Sequence, residues 1–462
     1  MSILDKIRKR GGSGADKRRV FLLGLDGTPH GLMQELFATG VLKNLAEIAA
    51  KGSLLRMSTT IPDVSSVAWT TFMTGVNPGR HGIFGFIDLK PGTYNTYFPN
   101  STHVRSPCLW QMLGKEARRS VVVNMPSTYP AQELSGALIA GFVAIDLEKA
   151  TFPKSLVPWL KQIGYRLDVD AAKARENPEE FFKDLDVSLE KGEQAFQRLM
   201  REEAWDFFAA IVTGTDRLHH FFWNANEDQG SPFHGAFLDY YRKVDAMAGR
   251  LYQALQGEAV FLAMSDHGFG RLRRDLYVNR WLEEHGYLAF AGDKRESVAD
   301  LDPQKTRAFC LDPGRIYMNL KRRFPGGIVP PGKECDRLVA ELADGLGALA
   351  VEGSRDGSGK AIRKICRRDE LFNGPFLTSA PDLVLVGEPG TNLRGATSRT
   401  QIFDTQGPFT GMHTQDDAFF LSDRPCERTD LANILDVSST VLTLLGSPAA
   451  ASIEGRPLIA AS

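Results

Sequence analysis

The sequence predicts an α/β fold built on a central, mostly parallel sheet covered by helices. Three observations carry that prediction. Short runs of Val, Ile, Leu and Phe alternate with longer segments of helical periodicity, the order that strand–helix–strand units impose. Those runs are continuously apolar rather than alternating, as strands buried on both faces are. Two of them stop abruptly at an aspartate followed by Gly or His-Gly, and the ligand crevice of an open α/β sheet lies just beyond its strand ends.

Residues 1–18 read as a flexible basic leader, with no apolar signal region and no small-residue cleavage site before the first strand. The alternative is a short basic helix over "SILDKIRKR" in weak contact with a membrane surface. From residue 19 onward the pattern is that of one catalytic domain carrying insertions. "VFLLGL" at 20–25 is the first strand, and "GLMQELFATGVLKNLAEIAAKG" is a helix–turn–helix. "SLLRMST" at 53–59 follows as a strand, then "VAWTTFMTG" as a helix closed by Gly75. "SVVVNM" at 120–125, "FFAAIV" at 207–212, "AVFLAM" at 259–264 and "DLVLV" at 382–386 complete the predicted strands. Residues 145–203 are charged and helically periodic with no clear strand, which predicts an inserted helical cap. Gly- and Pro-rich clusters mark residues 290–376 as a second insertion.

Composition excludes several function classes. The formal net charge of -1 over 462 residues gives no electrostatic case for binding a nucleic-acid polymer. Five scattered cysteines without a C-x-x-C spacing argue against a disulfide framework or a thiolate zinc site and predict reduced thiols. No apolar run approaches the ~18 residues of a spanning helix, so a soluble, cytoplasmic protein with no transmembrane segment is expected.

Chemistry gathers at the strand ends. Asp26 closes the first strand; in isolation, Asp-Gly there is simply a turn. The pattern recurs, however. "FFAAIVTGTDRLHHFFW" leads a strand into Asp216, with His220 four residues later on the same helical face. Alone, that pair would be a helix cap or a surface contact. "AVFLAMSDHGFG" ends a further strand with Asp266-His267, and "GPFTGMHTQDD" offers His413 in a Gly-flanked loop. Together they make two ligand sets: Asp216, His220 and His413, and Asp26, Asp266 and His267. Carboxylate and imidazole donors without thiolate suit a pair of divalent ions, zinc first, with manganese or iron where oxygen dominates. His219 points about 100° away from His220 on a helix and is read as packing. A hydroxyl is available in "TTIPDVSSVAWTTF": Ser65, or Ser66 one position on, at the start of a helix whose dipole favours an anion. A plain cap role for either serine is the alternative.

The combination "LGLDG", "TIPDVSSVAWTTFMTGVNPGRHGIFGF", "TGTDRLHHFFW", "MSDHGFG" and "TGMH", in that order, resembles the alkaline phosphatase superfamily, and within it the type I phosphodiesterase/nucleotide pyrophosphatase branch. The resemblance covers most of the chain from about residue 19 onward. It implies an alkaline-phosphatase-like three-layer α/β/α fold, two metals, usually zinc, and a covalent phosphoryl intermediate on a Thr or Ser. That nucleophile falls on Ser65, nine residues before Thr74, and Ser65 joins Asp26, Asp266 and His267 around one metal. One position departs. Nucleotide pyrophosphatases carry an Asn about twenty residues beyond the nucleophile that binds a non-bridging phosphate oxygen, and Phe86 stands there.

The expected activity is two-metal hydrolysis of a small-molecule phosphate ester, of the phosphodiesterase or nucleotide pyrophosphatase type. The alternatives are a phosphonate hydrolase or phosphoryl transferase of the same superfamily, or a metal-bearing protein that binds a phospholigand without turning it over. Specificity is expected from the two insertions.

Overall fold

A computed structural model describes residues 19–354, 357–405, 407–428, 430–448 and 453–460, so the leader 1–18 lies outside the described residues. Nine strands form the main sheet: β1 (Arg19–Leu25), β2 (Ser53–Ser58), β3 (Ser120–Met125), β4 (Gly136–Ala140), β5 (Thr151–Phe152), β6 (Phe207–Val212), β7 (Ala259–Met264), β8 (Ala418–Ser422) and β9 (Ala432–Asn433). Their spatial order is β9-β2-β8-β7-β1-β6-β3-β4-β5. β1 lies between β6 and β7, parallel to both, with Leu25 opposite Val212 and Gly24 opposite Met264. This register brings the carboxyl ends of three consecutive neighbours to one edge. Adjacent strands are about 4.8 Å apart, so groups just past these ends lie within reach of one another.

Helices cover both faces. The main ones are α1 (His30–Ala38), α2 (Lys43–Lys51), α3 (Ser65–Thr74), α4 (Pro178–Glu202), α5 (Gly214–Glu227), α6 (His234–Ala254), α7 (Lys333–Gly347) and α8 (Ile434–Leu444). Side-chain alternation along β1 feeds two cores at once: Phe21, Leu23 and Leu25 join one cluster, Val20 and Leu22 the other. The first cluster takes residues of α1, α2, α4, α5 and α6; the second takes residues of α3 and α8. Each large side chain so buried contributes roughly 1.5–3 kcal/mol. The result is the three-layer α/β/α arrangement.

The insertions differ from expectation. Residues 145–203 contain β5, which pairs antiparallel with β4, and α4, whose Phe181, Leu185 and Leu199 pack into the core on one sheet face. Charge on the outer side of an amphipathic helix made this layer helix look like a cap. Residues 290–376 contribute strands Ala308–Leu311, Arg315–Met318 and Ile362–Arg367 to a separate four-stranded antiparallel sheet, over a core of its own that includes residues of α7. The predicted strand at 382–386 is Leu383–Gly387 and belongs to this second sheet, not the central one. A short run buried on both faces reads the same in either setting, and only pairing decides. Arg315, fully buried, ties the two regions together by donating to Asp88 and to the Ile87 carbonyl. Among the described residues no helix is long and apolar enough to cross a membrane, and all five cysteines are free thiols.

Candidate active site

Asp26 follows β1 directly, Asp266 and His267 follow β7, and Asp216 stands in the first turn of α5, which succeeds β6. The strand Gly268–Arg271 then pairs antiparallel with Gly411–Thr414, placing His413 opposite Phe269. A histidine some 150 residues further along the chain is thereby returned to the same sheet edge. The structure thus brings together all seven residues singled out in the sequence.

Each carboxylate is held by one oxygen and presents the other. Trp69 Nε1 donates to Asp26 Oδ2 at 3.0 Å, the Gly27 amide to Asp266 Oδ1 at 3.1 Å, and Arg217 Nη1 to Asp216 Oδ2 at 3.2 Å. Gly24 makes the first contact feasible, because a Cβ there would lie 2.7 Å from the Trp69 ring. The opposite oxygens face imidazoles. Asp26 Oδ1 and Asp266 Oδ2 lie 3.7 and 3.4 Å from His267 Nε2. Asp216 Oδ1 lies 3.4 Å from His220 Nε2 and 3.3 Å from His413 Nε2, and those two nitrogens are 3.0 Å apart. The His267 and His413 rings stack at 3.7 Å, so the two clusters adjoin, and Asp216, His267 and His413 also offer ligand atoms within 4.8 Å of one another.

These clusters fit cations better than they fit hydrogen bonding. Asp216 Oδ1 and Asp266 Oδ2 are buried without a hydrogen-bond partner, which is costly unless something positive sits beside them. His267 Nδ1–H donates to the Gly268 carbonyl at 3.0 Å and His413 Nδ1–H to the Asp63 carbonyl at 2.8 Å, so each ring is anchored through Nδ1 and turns Nε2 into the cluster, where His267 meets Ser65 Oγ and His413 meets His220, the arrangement of metal-binding histidines. Tetrahedral ligands on bonds of about 2.0–2.1 Å are roughly 3.3–3.4 Å apart, close to the spacings around Asp216. Burial, reinforced by neighbouring Asp266 and Asp216, raises the Asp26 carboxyl well above its usual range. Burial likewise pushes Asp266 up to about 7. At Asp216 the same penalty is outweighed by His220, His413 and Arg217, and its carboxyl is held well below the usual range. Burial lowers His220 to about 4, which leaves it neutral as a ligand must be.

Ser65 is the first residue of α3, and its Oγ lies 3.1 Å from His267 Nε2 and 3.4 Å from Asp26 Oδ1. Ser66 Oγ is buried and has no hydrogen-bond partner. Neither serine caps the helix: the cap position is Val64, which makes no side-chain bond. An uncapped helix N-terminus therefore meets the carboxylate–imidazole cluster through Ser65.

His219 has a packing role. Its Nδ1–H donates to the Gly27 carbonyl at 3.0 Å and its Nε2 accepts from the Tyr241 hydroxyl at 2.7 Å. His81, which sequence reasoning passed over, is also structural: buried, it accepts from the Ile83 amide and bonds Thr71 Oγ1 at 3.0 Å. Trp110, Phe222 and Trp223 are buried in the cores. Sequence reasoning also missed Trp69 and Arg217. Arg217 had one signal, its adjacency to Asp216; Trp69 had none beyond lying one turn along the helix from Ser65.

The cluster opens into a cavity of about 450 Å³ whose lining includes Ser65, Phe86, Phe142, Arg217 and Phe409. Residues 290–376 contribute Asp312, Pro313 and Arg363 to it; residues 145–203 contribute none. The second insertion alone therefore reaches the cavity, contrary to the expectation for both.

Residues 20–416 match the type I phosphodiesterase/nucleotide pyrophosphatase family. The chain belongs to that family. No curated protein matches the chain significantly. Among solved structures, phosphonoacetate hydrolase from Sinorhizobium meliloti 1021, in complex with phosphonoacetate, superposes with a TM-score of 0.61 at 15% identity, covering 93% of this chain and 96% of that one. Murine ectonucleotide pyrophosphatase/phosphodiesterase 5 superposes with a TM-score of 0.53 at 13% identity over 95% and 97% of the two chains. An inactive variant of the murine protein in complex with AMP gives 0.55 at 14% identity, over 95% and 96%. At such identities the likeness speaks for the fold, which is that of the alkaline phosphatase superfamily.

Proposed function

We propose that this family member is a two-metal hydrolase of small-molecule phosphate esters, of phosphodiesterase or nucleotide pyrophosphatase type, with Ser65 as nucleophile. The observation that carries the reading is the position of Ser65 Oγ, within 3.4 Å of both Asp26 Oδ1 and His267 Nε2 at the uncapped start of α3. Asp26, Asp266 and His267, with Ser65, would hold one divalent ion, and Asp216, His220 and His413 the other. Two such ions, zinc first by donor type, would lower the pKa of the Ser65 hydroxyl and supply positive charge to the reacting group.

The chain's own residues do the rest. Ser65 Oγ, its proton released to solvent, forms a bond to phosphorus as the bond to the leaving oxygen breaks, giving a phosphoseryl enzyme and an alkoxide that takes a proton from water to leave as an alcohol. Water then attacks the same phosphorus, restoring the serine and releasing phosphate or its monoester. The start of α3, where Ser65 stands, would present the positive end of the helix dipole to the phosphoryl oxygens. Trp69, Gly27 and Arg217 fix one oxygen of each carboxylate, so no rearrangement is needed as charge develops. Free thiols fit a reducing compartment such as the cytoplasm.

The test is turnover of p-nitrophenyl phosphate and bis-p-nitrophenyl phosphate by zinc-loaded protein. Release of p-nitrophenol by wild type and its loss in Ser65→Ala are expected. Wild-type inactivity on every phosphate and phosphonate ester offered, or full activity in Ser65→Ala, would overturn the reading.

A further inference from the structure

Phe86 stands where nucleotide pyrophosphatases place a neutral amide, so the donor to a non-bridging phosphate oxygen must come from elsewhere. The structure points to what replaces it. The Phe86 ring stacks on Phe142 at 5.5 Å and 12°, and the Arg217 guanidinium lies over the same Phe142 ring, 4.2 Å from its centroid. Phe86, Phe142 and Arg217 all line the cavity that Ser65 lines. The amide position has become one end of an aromatic stack that carries a cation.

That cation is held rigidly. Asp168 accepts from Nε at 3.2 Å and from Nη2 at 2.7 Å, a bidentate clamp, while Nη1 donates to Asp216 Oδ2 at 3.2 Å. A guanidinium has five N–H groups, and these bonds use three. The two left over sit on nitrogens of a side chain that is 14% exposed and faces the cavity. A fixed, largely desolvated guanidinium with spare donors is suited to a phosphoryl oxygen.

We propose that Arg217 is the group that grips a non-bridging phosphoryl oxygen, and that its charge tilts the site towards doubly charged phosphoryl groups, those of monoesters and phosphonates, relative to a site with a neutral donor. The inference rests on the hydrolase reading above. Asp168, which accepts from Arg217 and from the Val169 amide and does not line the cavity, is a positioning residue, and it is the contribution of residues 145–203 to the chemistry.

The experiment uses zinc-loaded wild type, Arg217→Gln, Arg217→Lys and Asp168→Asn. Three readouts are taken: bound zinc per chain, affinity for inorganic phosphate at pH 8 by calorimetry, and kcat/KM for p-nitrophenyl phosphate and its bis ester. For Arg217→Gln we expect two zinc ions retained, phosphate binding at least tenfold weaker, and a fall in kcat/KM of about a hundredfold for the monoester, the scale of losing one oxyanion donor, with a clearly smaller fall for the diester. Arg217→Lys restores part of the charge preference, and Asp168→Asn lies between wild type and Arg217→Gln. Unchanged phosphate affinity in Arg217→Gln, or equal falls for the two esters, overturns the proposal. So does loss of zinc with every substrate affected alike, which would make Arg217 merely a clamp on Asp216. If wild type turns over neither ester, the hydrolase reading fails, while phosphate affinity still decides the role of Arg217.

Discussion

Asp266→Asn should stabilise the metal-free protein and destabilise the metal-loaded one. The Asp266 carboxyl is fully buried and pushed up to about 7, chiefly by desolvation, with Asp216 adding to it. An exposed aspartate titrates near 3.9, so the displacement is about three pH units, or about 4 kcal/mol at 1.36 kcal/mol per unit. The sign follows from proton binding. Between pH 4 and 7 the folded chain holds a proton that the unfolded chain has lost, so stability falls as pH rises through this window, and the full cost is felt above pH 7. Asparagine keeps the Oδ1 that accepts from Gly27 and removes the charge. With an unfolding entropy of about 2.1 cal/mol/K per residue, 4 kcal/mol corresponds to a rise in melting temperature of about 4 °C for a chain of this length. The assay is calorimetry at pH 8 in excess EDTA and again in zinc. In EDTA the variant should melt higher than wild type, with the gap closing towards pH 4. In zinc the order should reverse, because only the carboxylate ligates. A variant that melts lower than wild type in EDTA would refute the account of three crowded carboxylates awaiting cations.

Three further outcomes follow from the same geometry. Ser65→Ala should retain both metals and lose at least about a thousandfold in kcat, as expected for a residue acting as a unit with its site, and quenched turnover should trap a phosphorylated residue at Ser65 in wild type alone. The adjacent histidines should part company: His220→Ala should release one ion of the two, whereas His219→Ala should keep both but cost about 1–3 kcal/mol in denaturant unfolding, because it takes the imidazole donor from the buried Gly27 carbonyl and leaves the Tyr241 hydroxyl with Thr28 alone. Burial pushes the Cys108 thiol up to about 12 and raises Cys310 well above its usual range, so an aromatic disulfide reagent at pH 8 should leave both unmodified in native protein and react with them in guanidinium.

Much of the site was legible because its chemistry follows strands. An apolar run that stops at Asp26, and another that stops at Asp266-His267, announce both the strand and the sheet edge where the candidate site gathers, since continuous apolar runs occur chiefly in sheets covered on both faces. The spacing of Asp216 and His220 required only that the chain turn helical after β6, which it does. What stayed hidden depends on pairing. "DLVLV" looks like any buried strand, and nothing local says that it pairs with Arg315–Met318 rather than with the main sheet. β8, although apolar, runs antiparallel between β2 and β7, a choice made by its neighbours. The grip of Trp69 on Asp26 and of Asp168 on Arg217 joins residues 43 and 49 positions apart. No periodicity encodes such contacts, and conformational detail of this kind emerges only once the layers are packed.

The central claim is that two cations sit side by side at one edge of the sheet. Anomalous diffraction at the zinc edge from crystals of zinc-loaded protein tests it most directly. Two peaks are expected, one among Asp216, His220 and His413 and one among Asp26, Asp266, His267 and Ser65, about 4 Å apart as in other two-metal sites. A map with no peak there, or with a single peak elsewhere on the molecule, would contradict it.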